Sequence, residues 1–535
     1  LTLHGLGNRG VTWAALGSIA AGIAAILQIK RAMSDSAKAR KLRAQYREFE
    51  SLEAEFGKSS FSTAEEVRKS EDFSTTQGIY LGQIPTGNRR SPWQEVFFDG
   101  EASLAVIAPP GKAKTTAIGM TTVLANPVQN LILNDISTEL IAVLGPALEA
   151  DGWEINVIAP FHHDVSRIID RPVVDVKLDL FSDLHPDMPA VNVRPVLKRS
   201  IGWLMPGRAN SSAKDEFFYR DAQHLGEFFS MHELSAGRKP TPPALCAHVK
   251  AGMGALPEIC EQALHSTAFS GAYAASARAL VTLFEKAPQQ LAGGYGIADQ
   301  CLDPFDYGSC LGQHTLGCKT DPRILKHKPK VAYFVVNTLQ HFATYPEVVA
   351  MTLTYLMDTV AAAQGPCKVT ALIDEAGALN MPKLADMLNF YRKAHLRAVL
   401  FYQDVLGQTY KIQGKANTQQ ILAACQYKLG IGLQEPETLE MFSKLCGTKA
   451  ISTINQQDRH GVAHTLQDPT RSFSYQSVPL LRPEEIRRLK EILVVGGSLP
   501  PMLLRKVPYF TRPQWLAKAG PSPFYPGAHD AASKS

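Results

Sequence analysis

The chain has 535 residues, enough for two to four domains and a large core. Its 20% charged and 45% hydrophobic residues are those of an ordinary globular protein, and the net charge of +5 is too mild to mark a nucleic-acid surface by itself. Eight cysteines without a Cys-x-x-Cys pair exclude a disulfide scaffold and read as reduced thiols of a cytosolic body; Cys310, His314 and Cys318 have the wrong spacing for a zinc knuckle.

In chain order, residues 10–29 carry no charge and are long enough, about 30 Å as a helix, to cross a bilayer core. Arg9 precedes the run, and Lys30, Arg31, Lys38, Arg40, Lys41, Arg43 and Arg47 follow it, which places the following side in the cytoplasm by the positive-inside rule. A cleaved signal peptide and a buried helix are the alternatives; the basic cluster opposes export. Residues 1–35 are therefore expected to form a membrane anchor. Residues 36–86 are expected to form a charged juxtamembrane stem and a polar, turn-rich linker.

A main domain begins near residue 87. Gln94–Gly100 has the pattern of a hairpin arm, and Ser103–Ile107 that of a buried core strand. The next nine residues are Ala108, Pro109, Pro110, Gly111, Lys112, Ala113, Lys114, Thr115 and Thr116, and a helical pattern runs on to Ala125. Strand, small-residue loop, Lys-Thr and helix is the order of a phosphate loop. In that chemistry backbone N–H groups surround the phosphates, the lysine reaches the terminal phosphates of ATP, and the hydroxyl ligates Mg²⁺. Lys114 and Thr115 fill the last two positions of GxxxxGK[ST]. Ala108 and Ala113 replace both glycines, so a loop that binds nucleotide weakly or not at all is the competing expectation.

Strands are predicted at Asn130–Leu133 and Trp153–Ile158, with a helix ending at Ala150 between them. This is the βαβαβ signature of a doubly wound parallel sheet, whose ligands lie at the carboxyl ends of the strands. From 191 to 325 helical patterning takes over, at Asp215–Ser230, Pro243–Met253 and Ala272–Phe284, and predicts an all-α insertion. The sheet resumes at Val331–Val336 and continues to about residue 510.

Val369–Ile373 is a buried strand that ends in Asp374-Glu375. The first carboxylate suits a nucleotide-bound Mg²⁺ and the second suits activation of the attacking water. An amphipathic helix is expected at Lys383–Arg397. A strand, Ala398–Tyr402, then ends in Gln403, placed to sense the terminal phosphate or hold the water. Leu493–Val495 and Met502–Leu504 are candidate edge strands. Residues 511–535 are expected to be a flexible tail.

Asp374–Leu379, then Phe390–Arg397, then Phe401-Tyr402-Gln403 resemble the type IV coupling proteins of the TraG/TraD kind, grouped with the FtsK-like and HerA-like motors. Leu104–Thr116 looks like that family's phosphate loop. Asn134–Leu140 looks like its "Asp-x-Lys-Gly-Glu" segment, with Ser137-Thr138 in place of Lys-Gly. Pro479–Ile486 looks like its C-terminal signature. The resemblance implies a RecA-like P-loop NTPase with a mostly parallel twisted sheet, an inserted all-α domain and an N-terminal transmembrane helix. It implies a homo-hexameric ATPase on the bacterial inner membrane, using ATP and Mg²⁺. Such a motor would pass relaxase bound to single-stranded DNA, or effector proteins, to the type IV secretion channel. By the same resemblance Lys114 contacts phosphates, Thr115 and Asp374 serve the metal, Glu375 activates the nucleophile, Gln403 is the sensor, and Arg392 is a candidate arginine finger for a neighbouring subunit. A membrane-tethered recruitment platform with an inactive nucleotide site is the alternative.

Overall fold

The computed structural model describes residues 59–125, 129–185, 188–317, 321–405, 407–456 and 471–524. The expected membrane helix at residues 10–29 lies outside them. Among the described residues no helix is long and apolar enough to cross a membrane.

From residue 59 to residue 86, expected to be a linker, the chain is largely ordered. A capping box of Thr63 and Glu66 starts the helix Ala64–Lys69. Strands β1 (Phe73–Ser74) and β2 (Ile79–Pro85) pair antiparallel with β3 (Trp93–Phe98), in the order β1-β3-β2. The linker expectation failed here because Gly78, Gly82 and Pro85 mask a strand in which Ile79, Tyr80, Leu81 and Ile84 are buried.

The central sheet is built from β4 (Leu104–Ile107), β5 (Asn130–Asp135), β6 (Glu154–Ile158), β7 (Val331–Val336), β8 (Val369–Ile373), β9 (Leu396–Tyr402) and β10 (Tyr427–Ile431). A separate unit, Cys446–Arg482, carries the antiparallel hairpin of β11 (Thr448–Gln456) and β12 (Arg471–Pro479). The central sheet is completed by β13 (Ile492–Gly496) and β14 (Met502–Leu504). Its order is β14-β13-β10-β4-β9-β8-β5-β7-β6. The strands from β10 to β6 run parallel, and β13 and β14 extend one edge in antiparallel pairing. The result is an α/β fold with a mixed sheet.

Every residue of β4, β5, β7, β8 and β9 is buried, as parallel strands covered on both faces must be. The helix after β4 opens with a wide turn, Thr115–Gly119, and continues through Met120–Leu124. It shares a core with helix Glu139–Ala150, the N-terminal hairpin and Trp515. Between β6 and β7 the described chain is helical, from Ala190–Leu204 through Ala213–Ser235 and Pro242–Lys250 to Ile324–His327. Leu225, Phe228, Phe229, Leu245, Tyr273 and Leu291 lie in its interior.

Two differences bear on function. The helix expected to reach Arg397 ends at Lys393, and β9 starts at Leu396. His395 stands between them with φ 53, a conformation that breaks helix continuity. The segment from residue 511 to Phe524, expected to be flexible, is packed: Trp515, Leu516, Ala519 and Ser522 are buried, and the Gly520 N–H donates to Val143 O at 2.8 Å.

Candidate nucleotide site

The parallel register brings the carboxyl ends of β4, β9, β8 and β5 to one rim. The Ala108 N–H prolongs the β4–β9 ladder by donating to Tyr402 O at 3.0 Å, and the chain then turns away into the loop. Gly111 has φ 73 and open space where a Cβ would stand. Ala113 has φ 65, the left-handed conformation that costs a non-glycine residue roughly 1–2 kcal/mol. Ala108 keeps φ negative, so only one of the two missing glycines is felt by the backbone.

From this loop the Lys114 Nζ reaches Glu375 Oε1 at 2.7 Å and Asp374 Oδ1 at 3.7 Å. The Thr115 hydroxyl donates to Asp374 Oδ2 at 3.1 Å, and the Glu375 N–H to Asp374 Oδ1 at 3.0 Å. Glu375 has φ 52, a turn that swings its carboxylate back over the rim. Because β9 lies between β4 and β8, Gln403 stands between loop and acids, and its Nε2 donates to Glu375 Oε1 at 2.7 Å. The sequence separations are 261 residues for Lys114–Glu375 and 28 for Glu375–Gln403. Strand order, not proximity along the chain, assembles the group.

Burial raises the Asp374 carboxyl above its ordinary range; Lys114 opposes the shift and the neighbouring Glu375 charge adds to it. A buried acid whose ionised form is under-compensated, next to a hydroxyl and a lysine, fits a hard divalent cation with oxygen ligands. Thr115 and Asp374 are the residues that would hold Mg²⁺. Lys114 and the loop N–H groups fit the phosphates of a nucleotide. Thr116 turns back to Ala113 O at 3.4 Å. Lys112 is exposed, and its carbonyl accepts from Lys506 Nζ at 3.1 Å. Pro109 and Pro110 form the outer bend of the loop.

A family model described as type IV secretory system conjugative DNA transfer matches residues 52–528. The chain belongs to that family. In fold it is similar to the unbound monoclinic form of the bacterial conjugative coupling protein TrwBdeltaN70, at 13% identity and a TM-score of 0.61, covering 84% of this chain and 93% of that one. The plasmid coupling protein TrwB in complex with ADP and Mg²⁺ aligns at 14% identity and a TM-score of 0.59, over 85% and 94%. None of the curated proteins compared matches the chain.

Arg392, expected as an arginine finger for a neighbouring subunit, stands apart from the rim group of its own chain. This residue is exposed in the last turn of helix Leu384–Lys393, and the His395 N–H donates to its carbonyl at 3.1 Å. That turn leads into β9, and the His395 carbonyl accepts from the Val369 N–H at the start of β8 at 2.9 Å, so Arg392 sits at the end of the sheet opposite the loop. The seven residues of β9 separate the two ends by about 23 Å. Within one chain Arg392 does not join Lys114, Thr115, Asp374, Glu375 and Gln403.

Asn134 and Glu139, in the segment that resembles the Asp-x-Lys-Gly-Glu motif but without a role assigned from sequence, join the site. Asn134, fully buried at the end of β5, donates to the Asp374 carbonyl at 2.8 Å and fixes the turn that aims both acids. Glu139 is a third carboxylate, raised mainly by burial, with the Asp374 charge adding to the shift; Ser522 Oγ donates to it at 2.9 Å. Arg397, grouped by sequence with the helix end, is buried at the start of β9, at the end of the sheet away from the site. It donates to Thr370 Oγ1 at 3.1 Å and to Gly100 O, and burial lowers it to about 10. Asp135 beside Asn134 is a helix cap: it accepts from the Ser137 and Ile141 N–H groups, and burial raises it to about 7.

Proposed function

We propose that this chain is an ATP-hydrolysing coupling protein of a conjugative type IV secretion system. The observation that carries the proposal is the five-residue rim group: a lysine and a threonine from a loop after β4, two acids after β8 and a glutamine after β9. A site built for nucleotide binding alone has no need of a second acid held in place by a glutamine.

Lys114 leaves Glu375 for the phosphates when nucleotide enters and carries its charge with it. Glu375 is then free to take the proton of an attacking water, and the Gln403 amide, now on Glu375 Oε1, orients that water. Thr115 and Asp374 would hold Mg²⁺, which would supply neutralisation of charge on the phosphate oxygens. Asn134 fixes the Asp374 carbonyl throughout. Assembly into a homo-hexamer, anchorage of residues 10–29 in the bacterial inner membrane, and relaxase-bound single-stranded DNA or effector proteins as cargo complete the proposal.

A second reading, a recruitment platform with an inactive site, is favoured by one observation: Ala113 holds a conformation that glycine would hold without strain. The deciding experiment is ATP hydrolysis by purified protein with and without single-stranded DNA, beside Lys114→Ala and Glu375→Gln. Hydrolysis lost in both variants together with DNA transfer supports the motor. Transfer that survives both variants removes it. Pelleting of the full chain with carbonate-washed membranes tests the anchor, and its release by carbonate would overturn that part.

A further inference from the structure

We propose that Asn380 is a positioning residue that couples the Glu375 carboxylate to the helical insertion, so that where the insertion stands sets the aim of the base; the inference rests on the nucleotide reading above. Residues 206–210 connect two helices of the insertion, Ala190–Leu204 and Ala213–Ser235. The Asn380 amide grips this connector at two points. Its Oδ1 accepts from the Ala209 N–H at 3.0 Å, and its Nδ2 donates to the Gly207 carbonyl at 2.7 Å. The partners fix which end of the amide is which, because an N–H faces the oxygen and a carbonyl faces the nitrogen.

Asn380 lies at the end of the turn that starts at Glu375. Within it the Ala378 N–H donates to Glu375 O at 2.9 Å, and the Leu379 N–H to Ala376 O at 3.3 Å. Gln413, fully buried, crosses the same turn: its Nε2 donates to Ala376 O at 2.7 Å and to Leu379 O at 3.1 Å. Gln413 closes the helix Gln408–Gln413, which follows Gln403, and Gly377 leaves no room for a Cβ against Thr409 of that helix. The segments leaving β8 and β9 are therefore tied to each other beside the insertion. The second also touches the connector, through the Asn210 Nδ2 bond to Lys411 O at 3.4 Å. A turn braced in this way passes a displacement of Glu375 on to Asn380 instead of absorbing it.

The charge that moves in the proposed cycle sits at the other end of this turn. Without nucleotide, Lys114 and Gln403 both hold Glu375 Oε1. When Lys114 turns to the phosphates, Glu375 loses its cation and the turn is free to re-aim. The connector has space to follow. A cavity of about 550 Å³ adjoins the clamp, walled by Gly207, Arg208 and Tyr219 of the insertion and by Tyr345, Asn380 and Lys411. A close-packed junction would resist such a shift, whereas open space beside a two-bond clamp permits it. The linkage runs both ways for binding, so a partner that shifts the connector also alters the Glu375 turn.

The test measures ATP turnover, affinity for a non-hydrolysable ATP analogue, and amide hydrogen exchange over residues 207–210, in the full chain and its Asn380→Ala and Asn380→Asp variants. In wild type the bound analogue is expected to change exchange at the Ala209 N–H severalfold. Asn380→Ala is expected to lower kcat about ten- to a hundredfold, to leave analogue affinity unchanged, and to abolish the exchange response. Asn380→Asp keeps the acceptor for Ala209 and loses the donor to Gly207, and is expected to fall between the two. Unchanged turnover in Asn380→Ala overturns the proposal, and so does a matched loss of turnover and affinity, which would mark a merely structural residue. Wild-type exchange that ignores the bound analogue also overturns it, needs no variant to fold, and leaves the nucleotide reading standing. Wild-type protein that binds no analogue removes the nucleotide reading itself and this coupling with it.

Discussion

The Lys114 ammonium and the Glu375 carboxylate meet at 2.7 Å across the mouth of the rim, from segments 261 residues apart. Both side chains are largely shielded, at 10% and 16% exposure, and each is the charge partner that the other needs without nucleotide. Glu375→Gln keeps the shape and removes the base. Turnover is expected to fall by about 10²–10⁴ while ATP binding is retained. Single-turnover hydrolysis measured beside equilibrium ATP binding checks this; a matched loss of both would show Glu375 to be a binding residue.

Lys114→Ala has a different signature. It strands two neighbouring acids, one of them already raised by burial. ATP binding and turnover are both expected to be lost, and binding is not expected to recover as protein is concentrated. Isothermal titration with ATP reads the first effect directly.

The two alanines in the phosphate loop are predicted to behave oppositely when changed to glycine. Ala113→Gly relieves a left-handed alanine, a gain of about 1–2 kcal/mol, offset by about 0.4–1 kcal/mol of extra chain freedom when unfolded. Ala108→Gly brings only the second term, because Ala108 keeps φ negative and is fully buried. Thermal unfolding should therefore rise slightly for Ala113→Gly and fall for Ala108→Gly. Tighter ATP binding by Ala113→Gly alone would show that loop strain limits affinity.

The rim group was legible in the sequence because β4, β5, β8 and β9 each carry a short apolar run, Leu104–Ile107, Leu131–Leu133, Ala371–Ile373 and Ala398–Tyr402. Such runs declare a parallel sheet, and a parallel sheet delivers the residues after each strand to one edge. Of the N-terminal hairpin the arm at Gln94–Gly100 was legible, and β2 was hidden because Gly82 and Pro85 interrupt it. The hairpin of β11 and β12 was hidden because Thr448–Gln456 and Arg471–Pro479 mix small, polar and charged residues without clean alternation. Arg397 looked like part of a helix-end basic cluster; only the αL residue His395 makes it the first turn inward of β9. Lys506 carries no motif, and only the antiparallel edge of β13 and β14 brings it to the loop, where it donates to Lys112 O.

In the helical insertion, Glu233 is held by the Arg238 guanidinium at 2.7 and 2.6 Å and faces His248 Nε2 at 2.8 Å. The Arg238 bonds chiefly hold its carboxyl down at about 2, against burial, from an ordinary 4.5. The unfolded chain therefore takes up this proton first as pH falls. The stabilisation is complete above pH 4.5 and is lost as pH drops from there towards 2. With Arg238 half exposed, about 1–2 kcal/mol is at stake. Thermal unfolding between pH 5 and pH 3 should fall more steeply for wild type than for Glu233→Gln; parallel curves would refute the assignment.

Arg392 provides the sharpest test of assembly. It is exposed and lies about 23 Å from the Lys114 end of its own sheet, so its charge does not serve its own site. If it serves a neighbour's, the isolated chain and an Arg392→Ala variant will bind ATP equally well, and turnover by the assembled variant will fall by about 10³. Mixing separates the explanations. Arg392→Ala subunits retain intact acids, and Glu375→Gln subunits retain intact arginines. Mixed assemblies therefore create interfaces that pair a working site with a working finger. Hydrolysis above the sum of the two separate variants is expected, rising with total protein concentration. Hydrolysis that stays at the sum at every ratio would leave Arg392 as a surface cation at a helix end.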